Sequence, residues 1–163
     1  MKIFHGILIA IFAAVTISGC AVYTFNPGGK SSIKTVAVTQ FDNKTVEASL
    51  TSQLTDLIVN AFIADGNLKV ASEDQADAVL SGTLLQYERK PVNFTAGDTV
   101  NLYSVDLIFD ITLKDRKSDK NIWSDKLVSE GVYAVDKETE EIGQSRAITK
   151  LVTDIINRTT KSW

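Results

Sequence analysis

The sequence has very little histidine and cysteine. Its single histidine, His5, and its single cysteine, Cys20, both lie within the first 20 of 163 residues. The rest of the chain therefore lacks the usual general base near neutral pH, a thiol nucleophile, a disulfide and the common nitrogen and sulfur ligands of metals. Only carboxylate, lysine and tyrosine side chains remain for acid–base work. The composition thus disfavours an enzyme, and it predicts neither a bound metal nor a cofactor.

An excess of positive charge is also missing. The chain has 17 basic and 20 acidic residues, which give a net charge of −3 at pH 7. Nucleic-acid-binding proteins carry a basic patch or stripe, and no such cluster is visible here. Neither is there a polybasic segment that would hold the chain on anionic lipid by charge alone. We expect no nucleic-acid partner, and any membrane attachment must have another cause.

No hydrophobic run is long enough to cross a bilayer, but a short one lies near the N-terminus. Residues 7–17 are apolar except for Thr16, whereas a spanning helix needs about 20 apolar residues. With Lys2 ahead of it, this run is typical of a secretory signal peptide. It ends in Ile17-Ser18-Gly19-Cys20, which resembles a bacterial lipobox. Signal peptidase II would cut before Cys20, and Cys20 would carry the lipid; an ordinary signal peptide with an incidental cysteine is the alternative.

These features predict three regions of the chain. Residues 1–19 are the lipoprotein signal peptide, residues 20–32 are the acylated N-terminus and a flexible tether, and residues 33–163 form a single α+β domain. Because the leader takes Lys2 with it, 16 basic residues remain against 20 acidic ones. Two or more acyl chains on Cys20 would make a durable anchor.

Hydrophobic periodicity predicts a two-layer sandwich. Extended segments are expected at residues 33–41, 68–71, 78–87, 103–114 and 122–135, with a bulge or bend at Gly131. One helix should begin at a Thr45 cap and end at Gly66, and another should begin at an Asp136 cap. The fold class is therefore α+β, with a mostly antiparallel sheet of four to five strands packed by two amphipathic helices.

Each predicted element has one apolar face. The clearest strand should bury Tyr103, Val105, Leu107, Phe109, Ile111 and Leu113, and it should expose the polar residues between them, from Ser104 to Lys114. The apolar face of the first helix consists of Val46, Leu50, Leu54, Leu57, Ile58, Ala61 and Phe62. That of the second consists of Ile148, Leu151, Val152, Ile155 and Ile156. These faces can bury one another, which is why a sheet covered by helices is expected.

Two acidic groupings could be mistaken for catalytic or metal sites. Asp106 and Asp110 share a strand face, but four residues of strand separate them by roughly 13 Å. Glycosidase carboxylates lie about 5–9.5 Å apart, so a solvated face is favoured. Residues 115–121 faintly resemble a calcium loop, but Lys117 and Lys120 occupy positions that need a ligand and a glycine. A charged hairpin tip is favoured there.

The remaining candidates are basic residues near strand ends. Arg89 and Lys90 lie at the end of one strand, and Arg116 and Lys117 lie in a charged loop. The simpler interpretation is that they keep the protein soluble and blunt a sheet edge. The alternative is contact with a phosphorylated glycolipid, since guanidinium and ammonium groups pair well with phosphate.

An ordered set of segments resembles the LptE family of lipopolysaccharide-assembly lipoproteins. The set covers most of the mature chain and consists of CAVYTF at 20–25, IKTVAV at 33–38, FDNKT at 41–45, DGNLKV at 65–70, ADAVLSGT at 76–83, YSVDL at 103–107 and IWS at 122–124, followed by the C-terminal helix. Individual segments also occur in other envelope lipoproteins and in TolB-like proteins, whereas the order and length of the set are characteristic of LptE.

The resemblance implies partnership with an LptD-like outer-membrane β-barrel and delivery of lipopolysaccharide to the outer leaflet. It implies a protein lying largely inside the barrel, facing the periplasm and held at the outer membrane through Cys20. Two other functions stay open at this point: an accessory lipoprotein or subunit of an envelope secretion apparatus, and a periplasmic hydrolase that uses only carboxylates.

Overall fold

The described part of the chain is a mixed sheet with two helices. A computed structural model describes residues 33–160, so the leader, Cys20, the tether and Lys161 lie outside the described residues. The strands are β1 (Thr35–Val38), β2 (Asp42–Asn43), β3 (Lys69–Val70), β4 (Ala78–Phe94), β5 (Val100–Asp115) and β6 (Asn121–Ala134). The helices are α1 (Ser49–Asp65) and α2 (Glu140–Thr160).

The sheet has the order β3-β1-β4-β5-β6, and β2 also pairs with β4. Strand β1 runs parallel to β3 and β4, and β2 runs parallel to β4. The three long strands β4, β5 and β6 form an antiparallel meander. The predicted α+β class is confirmed. The sheet has six strands because two-residue β2 adds to the four or five that were expected.

Helices α1 and α2 cover the apolar face of this sheet. The β5 residues from Val105 to Leu113 alternate as predicted, and the helical residues Leu54, Ile58, Ile148 and Leu151 are fully buried against them. The opposite face of the sheet is mostly open. One residue on it differs from the prediction: Ser104 is fully buried, between Lys90 and Val132 on the neighbouring strands.

The start of α1 differs from the prediction. The helix begins at Ser49, and Val46 precedes it and is 92% exposed. Thr45 instead shapes a turn: its N–H donates to Asn43 Oδ1 at 2.7 Å, and its hydroxyl accepts from the Glu47 N–H at 3.2 Å. The end of α1 is as expected, because Gly66 adopts the left-handed conformation with φ of 72°.

The start of α2 was also placed too early. The helix begins at Glu140, four residues beyond the expected Asp136 cap. A turn intervenes, in which the Glu138 N–H donates to the Ala134 carbonyl at 2.8 Å. Glu140 and Glu141 lie in the first turn of α2 and Arg158 lies in the last, which suits the helix dipole.

Gly131 is a point of close helix packing, and the expected bulge there is wrong. It pairs in regular register with Val105, without a shift. A Cβ atom at Gly131 would lie 1.9 Å from the Gly143 carbonyl oxygen and 2.7 Å from the Ala147 nitrogen. The glycine therefore lets α2 approach the backbone of β6. Irregularities in β4 occur elsewhere, between Leu84 and Gln86 and near Asn93.

Candidate functional site

The outer half of the β4–β5 hairpin is not covered by any described residue. All residues from 88 to 99 are exposed, and the tip is closed by a 2.8 Å hydrogen bond from the Thr95 N–H to the Thr99 carbonyl. Several exposed side chains at this end are apolar, including Val92 at 49% and Phe94 at 53% exposure. This end of the sheet thus exposes both apolar and charged groups.

Arg89 is held in a fixed position at the base of this hairpin. Its guanidinium carbon lies 3.6 Å from the centre of the Tyr103 ring. Its Nε donates to the Tyr133 hydroxyl at 2.5 Å and lies 3.3 Å from Glu140 Oε2. The hydrogen bond to Tyr133 is the main cause that raises the pKa of Arg89. The result is a permanent cation, 39% exposed, with its orientation set by two stacked tyrosines.

Tyr87 joins this cluster to the start of α2. Its hydroxyl donates to a Glu140 carboxylate oxygen and accepts from Gln144 Nε2 at 3.1 Å. Burial, followed by the hydrogen bond to Glu140, raises the pKa of Tyr87. Tyr87 and Tyr133 were not among the residues predicted from the sequence. The available signal was the spacing of Tyr87 and Arg89, which places both on one face of a strand.

Lys90 lies on the opposite, open face of the sheet. Its ammonium forms an ion pair and a hydrogen bond with the Asp106 carboxylate. This hydrogen bond is the main cause that raises the pKa of Lys90. Asp110, further along β5, is exposed. Asp106 is thus paired with a lysine across the strands, and the structure brings the two aspartates into no common site.

Arg116 and Lys117 lie at the other end of the sheet. Arg116 Nε donates to the Ala76 carbonyl at 2.6 Å, and Lys117 Nζ lies 3.2 Å from Asp77 Oδ1. Asp77 also accepts from the Lys34 and Thr35 N–H groups. The hydrogen bond from the Lys34 N–H is the main cause that lowers the pKa of Asp77 to about 2, and the side-chain hydrogen bonds from Lys117 and Thr35 contribute less. These cations fasten the β5–β6 hairpin to the start of β4.

The four candidate cations therefore form two separate groups. Arg89 pairs with Val105 in the β4–β5 ladder, whereas Ala78 pairs with Asp115, next to Arg116. Ala78 and Arg89 are eleven residues apart along β4, which corresponds to roughly 35 Å. One phosphate cannot contact both groups. A large glycolipid or an extended surface would be needed to reach the two.

The described part of the chain offers neither a membrane-spanning helix nor a metal cluster. None of its helices is long and apolar enough to cross a bilayer. Within residues 33–160, no three histidine, cysteine, aspartate or glutamate side chains are grouped so that they could hold a metal ion.

The fold is similar to those of several solved bacterial proteins. A protein from Xanthomonas campestris matches with a TM-score of 0.62 and 14% identity, over 83% of this chain and 88% of that one. A lipoprotein from Nitrosomonas europaea gives a TM-score of 0.55 and 13% identity, over 83% and 90%. The PelC dodecamer subunit of Paraburkholderia phytofirmans gives 0.51 and 20% identity, over 78% and 88%. At these identities the similarity establishes the fold alone.

The sequence comparisons identify the family. A search of curated protein sequences found no significant match. In contrast, the family model described as LptE, lipopolysaccharide-assembly, matches residues 33–159, which is nearly the whole described domain. The chain therefore belongs to the LptE family of lipopolysaccharide-assembly lipoproteins.

Proposed function

We propose that this protein is a non-enzymatic outer-membrane lipoprotein that supports assembly of an LptD-like β-barrel and transport of lipopolysaccharide to the outer leaflet. The observation that carries the proposal is the family match over residues 33–159. Acylated Cys20 would hold the domain at the membrane, facing the periplasm. Tethering would keep its concentration near the barrel high.

The two faces of the sheet suit a domain that occupies a barrel. The helices bury the apolar face, so no partner is needed to cover that face. The other face exposes polar side chains, among them Glu88, Asp110 and Lys126. A β-barrel interior is polar, and a polar sheet face can lie against it without burying unpaired apolar surface.

Purification of the tagged protein from detergent-solubilised outer membranes tests the partnership. We expect an LptD-like barrel to copurify, because membership of the LptE family implies association with LptD. Depletion should leave the barrel misassembled, lipopolysaccharide stalled below the surface, and the cells more sensitive to large hydrophobic antibiotics. A Cys20→Ala variant should leave the membrane pellet when no barrel is present. Normal barrel assembly after depletion would overturn the proposal.

Lipopolysaccharide contact by the four candidate cations can be tested group by group. We expect Arg89→Gln/Lys90→Gln and Arg116→Gln/Lys117→Gln each to weaken binding of purified lipopolysaccharide, more strongly at low salt than at high salt. Glutamine keeps much of the side-chain length while removing the charge that pairs with phosphate.

The matched control replaces two exposed lysines elsewhere, Lys44→Gln/Lys69→Gln, which changes the net charge equally. Circular dichroism should show that each variant is folded. Binding that is unchanged in one group would assign that group to its ion pairs and hydrogen bonds within the domain. Binding that is unchanged in both would refute the phosphate contact.

A further inference from the structure

Strand β6 ends the sheet on one side, so one of its long edges has no neighbouring strand in the described domain. The hydrogen bonds show which backbone groups lie on that edge. The Val135 N–H donates to the Asn101 carbonyl at 3.2 Å, so Val135 and Asn101 are a hydrogen-bonded pair. Because such pairs alternate with pairs that are not hydrogen-bonded, the next pair, Ala134 and Leu102, directs its N–H and C=O groups away from each other. Every second residue back along β6 from Ala134 therefore directs its backbone groups outward.

The C-terminal end of this edge is closed by two side chains. The Ala134 N–H donates to Glu138 Oε2 at 2.9 Å, and the Val132 carbonyl accepts from an Arg146 nitrogen at 2.6 Å. Arg146 and Glu138 also form a bidentate pair with distances of 2.5 and 2.8 Å. The hydrogen bonds from Arg146 are the main cause that lowers the pKa of Glu138 to about 2, and the hydrogen bond from the Ala134 N–H is the second cause. A further strand cannot pair beyond this clamp.

The middle of the edge is open. Lys126 and Glu130 are exposed, and Val128 between them is 60% exposed although it is apolar. The hydrogen bonds of residues 33–160 include none to the outward backbone groups of these three residues. An open edge of this kind is a template for another strand.

The charges on the open edge are complementary to themselves. If two copies of β6 pair antiparallel about Val128, each Lys126 lies opposite the other copy's Glu130, and the two Val128 side chains face each other. The three outward residues then supply about six N–H···O bonds. A register centred on Leu127 places Lys126 opposite Val128, and one centred on Ser129 places Lys126 opposite Val132. Either register loses both charge pairs. Opposite charges directly across an antiparallel pair are stabilising.

We propose that two copies of this chain associate edge to edge through β6, with a two-fold axis at Val128. The contact is isologous, so the same residues serve both copies. On the β5 side, Lys126 lies next to Asp110 and Glu130 next to Asp106, which Lys90 neutralises. The proposal concerns this edge alone and does not depend on the proposed barrel partner.

Charge reversal on the full lipoprotein in detergent tests the contact. Sedimentation should show that the native protein dimerises, and Lys126→Glu or Glu130→Lys should each raise the dimer dissociation constant about tenfold or more, because each creates two like-charge pairs. An equimolar mixture of the two variants should form a heterodimer, since both cross-strand pairs are then opposite in charge. The double variant Lys126→Glu/Glu130→Lys should dimerise again.

The matched control is Lys69→Glu on β3, at the opposite edge of the sheet, which should leave dimerisation unchanged. A Val128→Cys variant should form a disulfide dimer on oxidation, because facing residues of this kind have Cα atoms about 5.5 Å apart. The native protein, whose single cysteine is Cys20, is the reference for the Val128→Cys variant.

A native protein that is monomeric at all concentrations would overturn the proposal. So would a dimer or larger ring that is insensitive to both reversals, or one that neither the mixture nor the double variant restores. Copurification of a barrel is a separate readout and tests the proposed function alone.

Discussion

Replacing Phe109 with alanine is expected to lower the free energy of unfolding by about 3–5 kcal/mol. Phe109 lies in the middle of β5 and is fully buried under the helices. Its ring meets the Phe41 ring edge to face, with 6.1 Å between the centres. Truncation removes this contact and leaves a cavity in the centre of the core. Urea denaturation of the native and variant proteins measures the loss.

Ile108→Thr is the matched comparison for Phe109→Ala. Ile108 precedes Phe109 in β5 but lies on the open face of the sheet, where it is only partly buried. Its loss should therefore cost much less. If both variants lost equal stability, the second face of the sheet would have to be covered, and the two-layer description would be wrong.

Replacing Gly131 with alanine should also destabilise the domain strongly, by roughly 3 kcal/mol. The added Cβ would lie 1.9 Å from the Gly143 carbonyl oxygen, which belongs to the backbone of α2 and cannot rotate away. Helix α2 would have to move off β6. That movement would disturb the buried hydrogen bond from the Ser129 hydroxyl to the Ala147 carbonyl, at 2.6 Å.

Gly97→Ala controls for the general effect of replacing a glycine. Gly97 lies in the exposed tip of the β4–β5 hairpin, and nothing lies within 4 Å of a Cβ built there. Urea denaturation should show a small change at Gly97 and a large one at Gly131. Equal, small changes would mean that α2 does not pack against β6 as closely as described.

Several elements of this fold could be predicted because their signals are local. The alternation from Val105 to Leu113 identified the buried face of β5, although Tyr103, also expected there, is only partly buried. The helical spacing from Ile148 to Ile156 identified the buried face of α2. Gly66 ended α1 as predicted, since a left-handed residue at that position favours glycine. The helix starts were less predictable. Thr45 and Asp136 are good capping residues, but each lies in a turn that precedes its helix.

The sequence by itself thus determined the fold class, the apolar faces and the family, because periodicity and motif order are properties of neighbouring residues. Only the tertiary structure decided that Gly131 supports a helix crossing, that Arg89 is held by Tyr103 and Tyr133, and that the candidate cations lie in two distant groups. It also decided which part of the β6 edge stays open. Each of these depends on residues far apart in sequence, brought together by strand register and helix packing, and one chain's periodicity contains no information about such contacts.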